Sequence, residues 1–211
     1  MITTPQYPDD IFTEPDPDPD TLANLGPLTP LAGVWEGRQG SDVNPKAHGP
    51  EFKSFHERFE AQPIDPQTNG PQLLYGLRYR AHMVEPGEVG AFHDQVGYLL
   101  WEPATGLTIM TLAIPRGQVA MAGGTVAAGD RTFALRASVD DPHFGISTSP
   151  FLDHAFHTTA WQIMFRIGAD DTWSYEQVTT LEVAGQGTFE HVDSNTLSRV
   201  GAPTPNPLAL A

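Results

Sequence analysis

The 211-residue chain contains no cysteine. Disulfide scaffolds, thiolate zinc sites, iron–sulfur clusters and cysteine nucleophiles are therefore excluded. Basic residues are scarce: 11 Lys and Arg stand against 26 Asp and Glu, a formal net charge of −15. A phosphate backbone needs a basic face, and so does an anionic membrane surface, so neither is an expected partner. Met1 to Pro30 holds no basic residue and no apolar run, which excludes a signal or transit peptide there. No apolar stretch is long enough to span a bilayer as a helix. The expected location is the cytoplasm. Gly-x-Ser-x-Gly elbows, Walker loops and dinucleotide fingerprints are all missing.

Turn-forming residues are plentiful, with 20 Gly and 20 Pro. That composition argues against long helices and for many short connections. Residues 1–26 are set apart by the run Glu14 to Asp20, in which acid and proline alternate. Such a segment cannot bury apolar surface and is expected to be a disordered tail. Residues 27–200 read as one domain. Residues 201–211 carry three prolines and no charge and read as a loose C-terminal tail.

Within the domain about ten segments have the period-two pattern of half-buried strands. They are Gly33–Gln39, Phe52–Ala61, Leu73–Ala81, Phe92–Trp101, Leu107–Ile114, Gln118–Ala122, Phe133–Val139, Thr159–Ile167, Thr172–Val183 and Phe189–Val200. In Leu73–Ala81 the apolar residues Leu73, Tyr75, Leu77, Tyr79 and Ala81 share one face, and Arg78 and Arg80 take the other. Short links and one apolar face per strand suit an all-β, closed antiparallel up-and-down barrel, because closure removes the unpaired edges. About ten strands leave a cavity inside. Asp140 to His157 breaks the rhythm and is expected to be a lid, as a long loop or short helix over one mouth.

Leu31 to Gly37 follows Pro27-Leu28-Thr29-Pro30 and opens the first strand with Gly33, Trp35 and Gly37. A short apolar plug helix running into Gly-x-Trp can close one barrel end, with the indole packed across it. On these grounds Trp35 is a core residue and not a ligand contact.

This stretch resembles the opening of the lipocalin and fatty-acid-binding-protein superfamily, and more closely that of the nitrobindin-like heme-binding β-barrels. Those barrels begin Pro-Leu-x-x-Leu-x-Gly-x-Trp-x-Gly, matched by Pro27 through Gly37. Their His-x-x-x-Gly-Tyr/Phe strand is matched by His93 to Tyr98, and their last-strand histidine by His191. The sequence departs from the pattern at Gln39, which replaces the third motif glycine, and lacks the Tyr that precedes Pro. The resemblance implies heme b held by His191 through its iron. It also implies reaction with nitric oxide or peroxynitrite, the latter isomerised to nitrate.

Alternation places Phe189, His191, Asp193, Asn195 and Leu197 on one face, a mixed face suited to a cavity wall. A hydrogen-bonded strand histidine is the simpler account of His191 when the resemblance is set aside. Two rival functions use the same barrel. One is a metal-free, lipocalin-like carrier of an apolar small molecule. The other is a cofactor-free enzyme with His191 or Asp193 as acid–base group. His154 and His157 could meet on a helical turn and hold zinc with Asp153 or His143, but the spacing is generic and a lid with solvated or hydrogen-bonded histidines is the favoured account. His93 reads as a strand residue paired with a neighbour. Arg78, Arg80 and Arg116 are candidates for an anionic ligand group, with outward surface pairing the commoner fate. The expected partner is a small or diatomic molecule, and an exposed barrel seam leaves room for a homodimer.

Overall fold

A computed structural model describes residues 8–205. Residues 1–7 and 206–211, the outer parts of both expected tails, lie outside the described residues. The chain runs through a short helix α1 (Thr21–Asn24), a 3-10 helix (Gly26–Leu31) and then strands β1 (Gly33–Lys46), β2 (Gly49–Pro63), β3 (Gln67–Asn69), β4 (Gln72–Val84), β5 (Ala91–Trp101), β6 (Leu107–Ile114), β7 (Gln118–Thr125), β8 (Thr132–Ser138) and β9 (Ile146–Thr148). Helix α2 (Pro150–Ala155) precedes β10 (Phe156–Ile167), β11 (Thr172–Val183) and β12 (Gly187–Gly201). Every strand pairing is antiparallel, and β2 pairs with both β1 and β4. That double pairing closes a ten-strand barrel, with β3 and β9 as short additions on β4 and β7. Among the described residues no helix is long and apolar enough to cross a membrane.

The inward face follows the alternation of the sequence. Tyr75, Leu77, Tyr79 and Ala81 are buried while Arg78 and Arg80 are exposed. Trp161, Ile163 and Phe165 on β10 and Trp173 and Tyr175 on β11 face the same interior. The plug is the 3-10 helix, aided by Leu25. Leu25, Leu28 and Leu31 have no exposed surface, and the Trp35 indole N–H donates to the Leu31 carbonyl at 2.8 Å. Behind the plug Trp35 meets Trp173 edge-on, with ring centres 6.1 Å apart, and Phe59 meets Trp173 at 5.0 Å. This apolar layer fills one end of the barrel and leaves the other half for polar residues and open space.

Some boundaries differ from the sequence reading. Regular structure starts at Thr21, where Asp20 caps α1 through the Ala23 amide and the Thr21 hydroxyl donates to the Ile64 carbonyl. Strand β1 runs on to Lys46, well past Gln39. Its register slips by one residue against β2 between Gly37 and Gly40 and against β12 between Glu36 and Ser41, a β-bulge at Arg38 and Gln39. A bulge inverts the in–out phase of everything after it. Gly37 points inward before it, and Gly40 and Asp42 point inward beyond it. The stretch Asp140–His157 splits into a turn, β9, α2 and the first two residues of β10, so His157 belongs to a strand.

Candidate functional site

The half of the barrel away from the plug holds a cavity of about 470 Å³. That size lies within the range of small-molecule sites. Phe92, Leu112, Ile114, Trp161 and Leu181 form apolar walls, and Phe151 and Leu152 of α2 stand at the mouth. The expected lid is thus in place over the opening. Lys46, Lys53 and Arg116 also border the cavity. Lys53 is engaged by Glu85 at 2.5 Å and Lys46 by Glu51 at 3.2 Å. Arg116 donates to the Phe92 carbonyl and has no carboxylate partner among the described residues.

Strand β12 delivers its predicted mixed face to this interior. Asp193, Asn195 and Leu197 are buried, and His191 lines the cavity. The phase change in β1 brings Asp42 to the same place. Asp42 and Asp193 are direct cross-strand partners, and both are buried. His191 Nε2 donates to Asp42 Oδ1 at 2.6 Å and lies 3.4 Å from Asp193 Oδ1. The outer oxygens are held separately: Asn44 Nδ2 donates to Asp42 Oδ2 at 2.6 Å, and Gln177 Nε2 donates to Asp193 Oδ2 at 3.0 Å.

The charges of this group depend on one another. Burial opposes a charge on His191, but the hydrogen bonds and charges of Asp193 and Asp42 outweigh it and push its pKa up to about 10. Burial also works against the Asp42 carboxylate. Its bonds with His191, Asp193 and Asn44 prevail and hold it well below the usual carboxylate range. Asp193 is raised, first by burial and then by the adjacent Asp42. At neutral pH His191 is therefore an imidazolium, seated between two carboxyl groups.

Deeper in the barrel lies a second polar group. Glu57 on β2 accepts from the Tyr175 hydroxyl at 2.8 Å and from Asn195 Nδ2 at 2.9 Å. No cation pairs with it among the described residues, and burial raises its pKa to about 7. A void of about 20 Å³ adjoins it, enough for a single water. Gly37 makes room for this contact, because a Cβ there would meet Asn195 Nδ2 at 2.5 Å.

The remaining candidates divide. His93 joins His191 on the cavity wall, with Nε2 3.3 Å from Gln95 Oε1, and burial lowers its pKa. Arg116 reaches the rim, whereas Arg80 pairs outside with Asp94 at 2.5 Å. His157, at the start of β10, bonds Asp153 of α2 at 2.8 Å, and His154 of α2 is exposed. Among the described residues the set of three or more metal-ligating groups brought together is Asp42, His191 and Asp193, and it includes no lid histidine. Gly33, Trp35 and Gly37 lie at the plug end, away from the cavity lining.

Sequence reasoning missed Asp42 and Glu57. Asp42 sits beyond the bulge, in what reads as a loop. Glu57 carried a usable signal, an acid between Phe55 and Phe59 on the apolar face of its strand.

Comparison with known proteins places this geometry. The profile of the family described as "THAP4-like, heme-binding beta-barrel domain" matches residues 24–199. The chain belongs to this heme-binding β-barrel family. A crystal structure of Rv2717c from M. tuberculosis is similar, with a TM-score of 0.57 and 24% identity, covering 85% of this chain and 97% of that one. At that identity the likeness speaks for the fold. No curated protein matches the chain.

The family's cofactor places three demands on the residues present. A porphyrin needs a roomy apolar slot, a ring nitrogen for the iron and partners for its carboxylates. The cavity, His191 and Arg116 offer these in one place. One condition attaches: His191 Nε2 is committed to Asp42, so Nδ1 is the nitrogen left for iron. Heme thus fits this THAP4-like barrel, provided that His191 gives up one proton.

Proposed function

We propose that the chain binds heme b in the 470 Å³ cavity with His191 as axial ligand, and that it acts on nitric oxide or peroxynitrite, isomerising the latter to nitrate. The observation that carries the reading is the position of His191 on the wall of a large apolar cavity, in a chain of a heme-binding family.

Bound heme would supply an iron centre that takes a small ligand and polarises it. The chain's own residues do the rest. Asp42 accepts the Nε2–H of His191, which fixes the ring and raises the basicity of the opposite nitrogen. Phe92, Leu112, Ile114 and Trp161 exclude water from the reacting face. Arg116 offers a guanidinium to the carboxylates of the porphyrin edge. His93 holds a neutral imidazole on the same wall, able to donate to or accept from a bound oxyanion.

Hemin titration tests the assignment. The wild-type protein is expected to give a stoichiometric Soret band, and His191→Ala a weakened and shifted one. An unchanged spectrum and affinity in His191→Ala would remove His191 from the role. For the reaction, hemin-loaded protein should convert peroxynitrite to nitrate faster than free hemin does; equal rates defeat the isomerase reading.

A further inference from the structure

The Asp42–His191–Asp193 group has a property that heme binding does not use. Two carboxylates stand directly opposite each other on β1 and β12, buried inside a barrel wall. Like charges in that position are destabilising, and burial enlarges the cost. Yet the arrangement is held in place from outside. Asn44 and Gln177 each take a carboxylate's Oδ2, and both Oδ1 atoms turn toward the one imidazole nitrogen. Outer donors that aim inner oxygens at a common point are how proteins orient metal ligands.

We propose that Asp42, His191 and Asp193 form a binding site for a divalent first-row transition ion, separate from and competing with heme for His191. One ligand atom from each residue lies within 4.8 Å of the others. Around an ion with bonds of about 2.1 Å, neighbouring ligand atoms stand about 3.0–3.4 Å apart. The Asp193 Oδ1 to Nε2 distance of 3.4 Å already matches. The Asp42 Oδ1 to Nε2 distance of 2.6 Å must widen once the hydrogen between those atoms is lost. The ion takes the place of that proton, which leaves to solvent, and two carboxylates and one imidazole are then shared by a dication. Carboxylate and imidazole donors suit zinc, manganese, iron and cobalt. The fourth position faces the 470 Å³ cavity, so a bound ion would keep a coordination site open to a small molecule. The site uses the lone pair of Nε2 and leaves the ring hydrogen on Nδ1, whereas heme ligation uses Nδ1, so one neutral imidazole serves only one of them at a time.

The test uses Co²⁺ alone, added to full-length protein freed of heme and metal, with d–d absorption and calorimetry as readouts. One ion should bind per chain, with the tetrahedral or five-coordinate absorption of a His/carboxylate set. Asp193→Asn and His191→Gln should each weaken it by at least about tenfold. Asp42→Asn should do the same. Near-UV circular dichroism from the buried tryptophans checks that each variant is folded, and an Asp42→Asn, Asp193→Asn double variant serves where a single one is not. Absence of saturable Co²⁺ binding to the wild type, or equal affinity in the folded carboxamide variants, overturns the site. Failure of hemin to bind at all would defeat the heme reading and leave the Co²⁺ result standing on its own.

Discussion

Tyr175 on β11 donates its hydroxyl to Glu57 on β2 across the barrel interior, an O–O distance of 2.8 Å between residues 118 positions apart. Asn195 shares the same acceptor oxygen, so the carboxyl is anchored by two neutral donors and no cation. Burial dominates those donors and lifts the Glu57 pKa to about 7. A group that holds its proton more tightly when folded stabilises the fold at low pH. Its contribution is complete below the unfolded value of about 4.5 and is lost as pH rises to about 7. The size is on the order of 3 kcal/mol. Glu57→Gln keeps an acceptor for Tyr175 and Asn195 but cannot ionise. Urea unfolding between pH 4.5 and 8 should show the wild type losing stability on this limb and Glu57→Gln staying flatter. Parallel curves for the two proteins would place the titration elsewhere.

His191 is also the cation that holds two buried carboxyl groups together. His191→Ala leaves Asp42 and Asp193 facing each other directly, and breaking a buried pair from one side is costly. The expected loss is on the order of 3 kcal/mol at pH 7. Adding Asp42→Asn should return part of that loss, giving a clear coupling in a double-mutant cycle. Additive losses would mean that the imidazole and Asp42 act independently.

The strands of this barrel are legible because water on one side and core on the other impose strict alternation. Leu73 to Ala81 and Trp161 to Ile167 show this without help from the fold. Gly33-Val34-Trp35 likewise marks the plugged end, since a tight turn, a close approach and a large ring are needed together. What could not be read is a change of phase. Arg38 and Gln39 are both exposed, so the bulge has no apolar signature, and the Asp42 beyond it looks like a loop acid. Its partner His191 is 149 residues away. The face of β12 was visible from period two, but the meeting of that face with β1 is a product of barrel closure. Strand β3 and strand β9 are three residues each, too short to show a period.

The bulge itself offers a check on that account. Removing Gln39 would take out the extra residue of the bulge, so that Gly37, Gly40 and Asp42 alternate without interruption and Asp42 stays on the inner face beside His191. The deletion should therefore leave the His191 pKa raised, as followed by imidazole proton shifts in NMR titration. It should also leave any Co²⁺ binding in place. A His191 that titrates as an ordinary histidine would show that β1 shifts by a residue along its neighbours and turns Asp42 outward.

At the plugged end Trp35 combines several contacts on one side chain. It is fully buried, its N–H is bonded to Leu31, its ring meets Trp173, and the Arg199 guanidinium lies 4.1 Å over its centre. Arg199 is tied in turn to the Ala32 carbonyl at 2.6 Å, so the cation bridges the strand opening and the ring. Trp35→Ala should cost about 3–5 kcal/mol through the cavity left behind. Trp35→Phe keeps a smaller ring and loses the bond to Leu31, for a cost nearer 2 kcal/mol. Arg199→Ala should cost about 1 kcal/mol alone, and less in the Trp35→Ala background, because the cation–π contact is already gone. Chemical unfolding of the single and double variants measures that coupling, and a coupling of zero would leave the Ala32 carbonyl and Asp171 as the partners that account for Arg199.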